Sequence, residues 1–500
     1  MPARKGVSAP AAVILLAAWV NPALSHAQDV QGGADSFAGY CSRCHGPDAG
    51  GGQGPSLLGQ AYAHGADDRS VTRTIREGFP EGGMPAFGNV LTEPQIAGVV
   101  AFLRQKRAAA PARSTRPPVQ RAYAPLGVPG GVVKTELHDF RVETVARVGE
   151  AYGFAFLPDG RILITEVAGN LRIVDNGLAE NARLLPEPVP GAPRGNALGL
   201  RGGGGRSLLD VIVDPDYKTN RWIYLVTAHA VKDAEGKLAG RARINRGRIR
   251  DGGWVDNQVL IEFPIDVTTG LRMAFDSKRY LYIGTSFPDP DYVAPADLGK
   301  TPPQQLSSPW GKILRMTADG QVPPDNPFVN TPGAFPYVYA LGIRAPLGLA
   351  FDRRGELWEA EDGPRGGDEL NHIRAGHNYG WPVITWGHRY DAIPMPANPE
   401  GDSPEQQRME QPVVGWSPSP ALSSMAIYNG RAFPRWQDNI LIGSLKQMDL
   451  FRIVLDGDRP IVQETILHGV DRIRDVRVGP DGCVYVLTEG GQLLRMVPVR

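Results

Sequence analysis

Six times along the chain an apolar, strand-like run gives way to a turn, usually carrying aspartate, and then to a second apolar run. The six pairs fall within Gly153–Thr165, Asp210–Val226, Met273–Ile283, Gly348–Trp358, Met425–Gly443 and Asp475–Thr488. No pair is large enough to bury its own apolar face, so neighbours must stack around an axis. Six such units predict a six-bladed β-propeller, and self-similar hairpins argue against the alternative, a β-sandwich. The strand-like run Thr144–Val148 is placed to complete the last blade. The N-terminal region has a different period. Gly33–Tyr40 fits a short helix, and Thr92-Glu93-Pro94 opens another with Ile96, Val99, Val100 and Leu103 on one face. The predicted fold class is therefore an all-β six-bladed propeller with a small all-α domain at the N-terminus.

Composition agrees. Five hundred residues exceed one ordinary core, and 61 Gly with 45 Pro make the chain turn-rich. With 53 basic and 53 acidic residues there is no charge excess to suggest nucleic acid or an anionic membrane as partner. Arg4 and Lys5 precede the apolar run Ala11–Val20, and Ser25-His26-Ala27 supplies small residues for cleavage. That predicts a signal peptide over residues 1–27, no transmembrane anchor in the mature chain, and a periplasmic or secreted protein. The Pro- and Ala-rich residues 108–125 read as a semi-rigid linker between a domain at 32–107 and the propeller at 133–500.

Cys41-Ser-Arg-Cys44-His45 is the most specific motif. Two thiols so spaced can both add to porphyrin vinyl groups, and the adjacent imidazole then reaches the iron. A redox disulfide is the rival reading; His45 and the export signal favour haem c. Met84, in Gly82-Gly-Met-Pro85, is the expected sixth ligand, with His64 as a competitor. Cys483 reads as an inert core residue. The order of these features resembles small class I cytochromes c over Gly32–Arg107.

Glu361-Asp-Gly-Pro-Arg-Gly-Gly-Asp-Glu-Leu-Asn371 leaves a strand and runs on to Asn378-Tyr-Gly-Trp-Pro382. Its glycines and proline allow sharp turns, and Asp362, Asp368 and Glu369 offer hard oxygen donors of the kind calcium takes. A solvated acidic loop is the plain alternative. Together with Leu347–Asp352, these segments resemble the soluble aldose sugar dehydrogenases that depend on pyrroloquinoline quinone (PQQ), the glucose/sorbosone dehydrogenase family, from about Tyr152 onward.

That resemblance implies roles residue by residue. Lys446, Arg472 and Arg474 match cations that hold the three PQQ carboxylates, and Trp416 and Ser419 fall where the cofactor pocket is lined. Gly363 and Pro364 match carbonyl ligands of a cofactor-bridging calcium. Glu369 and the Tyr379 carbonyl match a second calcium, with Asp391 a looser candidate. Arg344 matches a charge-stabilising arginine. Other positions depart from the family: Thr268 stands where its catalytic histidine is expected, Ala345 and Leu347 replace polar residues, Ser286 and Phe287 stand in place of an aspartate, and Gly205 or Arg206 replaces a cofactor-contacting glutamine. A threonine hydroxyl is no base near neutral pH, so Asp362 and His388 become the candidate bases. Three readings stay open. One is an oxidoreductase that oxidises a sugar, alcohol or aldehyde and hands electrons through haem to a soluble cytochrome or membrane oxidase. The others are a propeller without PQQ serving as docking module for the cytochrome, and an oxidoreductase with another ligand.

Overall fold

The structure is a computed structural model describing residues 22–45, 49, 57–58, 67–78, 84–109, 125–196, 206–232, 238–264, 271–287, 295–364, 366–387 and 403–499. It divides into two compact units, Met1–Gly78 with Pro85–Ser114, and Phe79–Met84 with Thr115–Arg500.

Unit one is helical: α1 (Pro22–Tyr40), α2 (Ser42–His45), α3 (Asp68–Glu77) and α4 (Glu93–Ala109). Helix α1 starts well before the expected Gly33, because Ala, Leu and Gln precede it and favour helix. Helices α1 and α4 touch at glycines. A Cβ on Gly33 would lie 1.9 Å from the Gly98 carbonyl oxygen, so only glycine permits this approach. Next to it the Phe37 and Phe102 rings pack at 5.1 Å. Ile96, Val99, Val100 and Leu103 are buried, as the period of α4 requires. Thr92 opens α4, its backbone N–H donating to Gln95 at 2.9 Å. Among the described residues no helix is long and apolar enough to cross a membrane.

Unit two is the six-bladed propeller. Its strands form six four-stranded antiparallel sheets. Blade one holds Ala151–Phe156, Ile162–Glu166, Leu171–Asp175 and Arg183–Leu184; blade two Leu208–Val213, Ile223–Lys232, Leu238–Arg250 and Gly253–Pro264. Blade three holds Arg272–Phe275, Tyr280–Thr285, Lys312–Thr317 and Val338–Leu341; blade four Pro346–Phe351, Leu357–Glu361, Asp368–Ile373 and Val414–Trp416. Blade five holds Leu422–Ile427, Ile440–Ser444, Leu450–Asp456 and Arg459–Leu467. Blade six joins Ile473–Val478, Val484–Thr488 and Gln492–Pro498 to Phe140–Arg147, with Phe140 opposite Pro498. Each repeat in the sequence is the inner strand pair of one blade. The closing strand starts at Phe140 rather than Thr144 because Phe140 is fully buried between blades while Arg141 and Glu143 face solvent.

The inner strands are pinned by charge. Arg272, on blade three, lies 3.3 Å from Asp210 of blade two and 3.7 Å from Asp475 of blade six. Its guanidinium also donates to the carbonyls of Leu347 at 3.0 Å, Tyr152 at 3.3 Å and Arg474. One side chain thus links five blades. Burial opposes charge on Asp475, but Arg477, Arg272 and the Ser424 hydroxyl outweigh it and hold that carboxyl below its usual range.

Candidate functional site

The loop Glu361–Asp368 is shaped by what it excludes. A Cβ on Gly363 would lie 2.3 Å from the Gly366 carbonyl oxygen, and Gly367 has φ +68°, so neither position accepts a larger residue without strain. Asp368 holds the loop from inside, accepting the Gly363 N–H at 3.1 Å and the Leu422 N–H at 2.8 Å. Burial, then the neighbouring Asp362 charge, pushes its carboxyl up to about 7, while the Ser419 hydroxyl bonds it and pulls the other way. Arg344 is aimed at the same loop. Its backbone N–H donates to Glu361 at 2.6 Å, and its guanidinium donates to the Asp362 carbonyl. The guanidinium also lies 3.6 Å from the Asp362 carboxylate and 5.4 Å over the Trp381 ring. Phe287 donates its N–H to the Arg344 carbonyl at 2.8 Å, and its ring packs against Trp310 at 5.4 Å.

Behind the loop, Glu361 faces Glu369 and Glu359 faces Asn371 across the ladder. All four are buried. Burial, and then the charge of Glu361, pushes the Glu359 and Glu369 carboxyls far above their ordinary range. Glu359 Oε1 and Asn371 Oδ1 have no hydrogen-bond partner. Buried, mutually repelling oxygens of this kind fit a hard cation. Among the described residues no three His, Cys, Asp or Glu side chains are arranged to hold a metal unaided. A calcium here would draw on carbonyls as well, of the sort expected from Gly363, Pro364 and Tyr379.

A third group is basic. Arg472 and Arg474 converge on Glu489, which lies 2.9 Å from Arg472 Nε and also pairs with Arg474. Arg474 is buried, and burial followed by the Arg206 charge pulls it down to about 10. Burial opposes charge on Glu489, but Arg474, Arg472 and Arg206 together keep its carboxyl low. Arg206 and Arg474 each lie 5.9 Å from the centroid of the buried Tyr152 ring. The Tyr152 hydroxyl and Arg474 Nε have no hydrogen-bond partner. Such donors, dry and unpaired beside like charges, fit an anion with several carboxylates. Arg472 Nη1 also donates to the Leu445 carbonyl at 3.2 Å. The next residue, Lys446, is exposed and reaches the Ser419 carbonyl at 3.1 Å, connecting this group to the Asp368 loop.

Arg344, Asp362, Gly363, Pro364 and Ser419 thus gather at the loop, Glu369 behind it, and Arg472 and Arg474 at the basic group. Trp416 is placed differently. It ends the outer strand of blade four, and its indole donates to Gln463 of blade five at 3.1 Å while packing between the two blades. Tyr379 is buried, its hydroxyl donating to the His372 carbonyl at 2.7 Å. In unit one, Cys41 and His45 are both buried on successive turns, the His45 N–H donating to the Cys41 carbonyl at 3.0 Å. Met84 is half-buried and is grouped with unit two. Thr268, His388, Asp391, His64, Gly205 and the Cys44 side chain lie outside the described residues. Sequence reasoning missed Tyr152 and Glu489. The second could have been found as the acidic residue ending the strand that pairs with Arg472–Arg474.

The propeller, with this loop and basic group in it, is the part of the chain that matches known sugar dehydrogenases. Residues 148–495 match the model of the glucose/sorbosone dehydrogenase family, and the chain belongs to that family. Residues 28–103 match the cbb3-type cytochrome c oxidase subunit III model, a cytochrome c domain. The chain is 36% identical over 360 residues to the aldose sugar dehydrogenase YliI of Escherichia coli, covering 70% of this chain and 91% of that one. The apo-form crystal structure of the soluble aldose sugar dehydrogenase from E. coli superposes with TM-score 0.62 and 34% identity, over 72% of this chain and all of that one. The PQQ-bound aldose sugar dehydrogenase of Streptomyces coelicolor gives TM-score 0.53 and 27% identity, over 72% and 98%.

Proposed function

We propose that this chain oxidises a sugar, or a related alcohol or aldehyde, at a PQQ–calcium site in the propeller and passes the electrons to haem c in its N-terminal domain. The observation that carries this reading is the basic group around Glu489, with its unpaired Tyr152 hydroxyl and Arg474 Nε. When bound, PQQ supplies a two-electron acceptor for the hydride leaving the substrate carbon. Arg474 and Arg472 would hold its carboxylates with charge-assisted hydrogen bonds. Gly363 and Pro364 would offer carbonyls to calcium. Asp362 is partly exposed beside Arg344, which suits it to take the hydroxyl proton while the arginine balances charge. Cys41, Cys44 and His45, with Met84 as a second residue toward the iron, would hold a haem, which would supply a one-electron acceptor. The N-terminal charge and apolar pattern supports export to the periplasm or medium, where a soluble cytochrome or membrane oxidase would be the acceptor.

The test is reconstitution. Full-length, haem-loaded protein is supplied with PQQ and calcium, then offered aldoses, simple alcohols and aldehydes while the ferrous haem band is followed. Reduction should depend on PQQ, and Asp362→Asn should slow it by about 10²–10⁴-fold, the range for one general base. No haem reduction with any substrate, despite PQQ binding, sinks the reading.

A further inference from the structure

Lys312 carries a charge into the interior and meets neutral partners there. It opens the third strand of blade three and is fully buried. Its ammonium donates to the carbonyls of Pro302 at 2.7 Å, Pro303 at 2.9 Å and Trp310 at 2.8 Å. An ammonium has three donors, so this set uses all of them. Among the described residues no carboxylate pairs with it, and burial alone pulls its pKa down to about 7. Burying a charge without a counter-charge is costly, so the reason for it lies in what the three carbonyls fix.

All three belong to the loop leading into that strand, and the loop reaches three segments that bear on Arg344. The Pro303 carbonyl also accepts the Gly342 N–H at 3.1 Å, two residues before the arginine. Gln304 donates to the Trp381 carbonyl at 2.8 Å, and the Arg344 guanidinium lies over the Trp381 ring. Trp310 packs against Phe287, whose N–H is bonded to the Arg344 carbonyl. The Phe287 carbonyl in turn accepts the Trp381 indole N–H at 3.0 Å.

We propose that Lys312 is a positioning residue: it holds the 302–310 loop against Gly342, Phe287 and Trp381, and so aims the Arg344 guanidinium at Asp362. With all its hydrogens committed to the loop, the ammonium takes no direct part in the chemistry. Its effect on catalysis rests on the PQQ reading, in which Asp362 takes the hydroxyl proton beside Arg344; its hold on Arg344 does not.

Two measurements on full-length, haem-loaded protein test this, with Lys312→Met and Lys312→Gln. The first is hydrogen exchange read by mass spectrometry, without PQQ. Lys312→Met should speed exchange about tenfold in peptides covering residues 302–310 and 341–344, the effect of about one lost hydrogen bond, and leave the inner strands of blades one and six unchanged. The second is turnover with PQQ and calcium, well below the melting temperature. There kcat should fall by about 10–100-fold with KM unchanged, as when a reacting group is slightly misplaced. Lys312→Gln keeps a neutral donor toward the loop and should fall between parent and Lys312→Met in both readouts; it carries the comparison if the methionine variant does not fold. A lower melting temperature with parental kcat, or exchange unchanged over residues 341–344, makes Lys312 structural only and overturns the proposal while leaving the PQQ reading intact. A parent without turnover overturns that reading and the catalytic effect, and exchange over residues 341–344 then still decides whether Lys312 holds Arg344.

Discussion

Replacing Arg272 by methionine tests whether one side chain holds the ring of blades together. Methionine keeps most of the stem volume but removes the charge between Asp210 and Asp475 and the donors to the carbonyls of Leu347, Tyr152 and Arg474. Breaking a buried pair by removing one partner costs about 3–5 kcal/mol, because the other charge is left uncompensated. Here Arg477 stays 2.9 Å from both carboxylates, which keeps the loss within that range instead of doubling it. A unit of this size unfolds with an entropy of roughly 0.8 kcal/mol per kelvin, so the melting temperature should fall by about 4–6 °C. Scanning calorimetry at one heating rate, on parent and variant side by side, provides the measurement. Arg272→Met together with Asp210→Asn should recover part of the drop, since the stranded charge is then removed. A variant that melts within about 1 °C of the parent would refute the idea that Arg272 pins the blades.

Two further outcomes follow from buried charge. Lys312 donates to the carbonyls of Pro302, Pro303 and Trp310 at 2.7, 2.9 and 2.8 Å, and burial pulls its ammonium from 10.5 down to about 7. A folded value below the unfolded one means unfolding takes up a proton between about pH 7 and 10.5. Stability should therefore climb with pH across that window, by at most about 5 kcal/mol, and Lys312→Met should abolish the climb; equal slopes in urea titrations of the two proteins would count against it. Calcium added to chelator-treated protein should raise the melting temperature more at pH 8 than at pH 5, because Glu359 and Glu369 are held protonated by burial and by Glu361 and must release protons to bind. The same shift at both pH values would place calcium elsewhere.

The blades were legible because each inner strand pair carries a dense apolar run and a turn marked by aspartate or glycine. The helix face Ile96–Leu103 was legible for the same reason, periodicity. What periodicity cannot carry is the meeting of side chains from distant blades. Tyr152 reads as an ordinary core aromatic, and nothing near it in the chain announces that Arg206, Arg272 and Arg474 converge on its ring. Trp416 was assigned to the pocket lining through the family resemblance; that its indole donates to Gln463 of the next blade is another contact between blades that one strand's sequence does not announce. Arg472 and Arg474 were picked out as cofactor cations through the family resemblance. Their shared partner Glu489 was not, although it directly follows the strand Val484–Thr488 that pairs with Ile473–Val478.

The closure of the ring has a consequence for synthesis. Phe140–Arg147 leaves the ribosome long before Gln492–Pro498, the strand it pairs with, and Phe140 must wait for Pro498. Five blades can form from consecutive hairpins as they emerge, but the sixth is assembled from both ends of the propeller sequence and is the last to exist. Contacts so far apart in sequence are slow to form. Until they do, Phe140 and the blade-six faces of Val484, Val486 and Leu494 are exposed together, so the nascent protein is most vulnerable to aggregation in its final moments. The helices of unit one are complete in sequence well before then, so that unit can fold while the propeller is still an open arc.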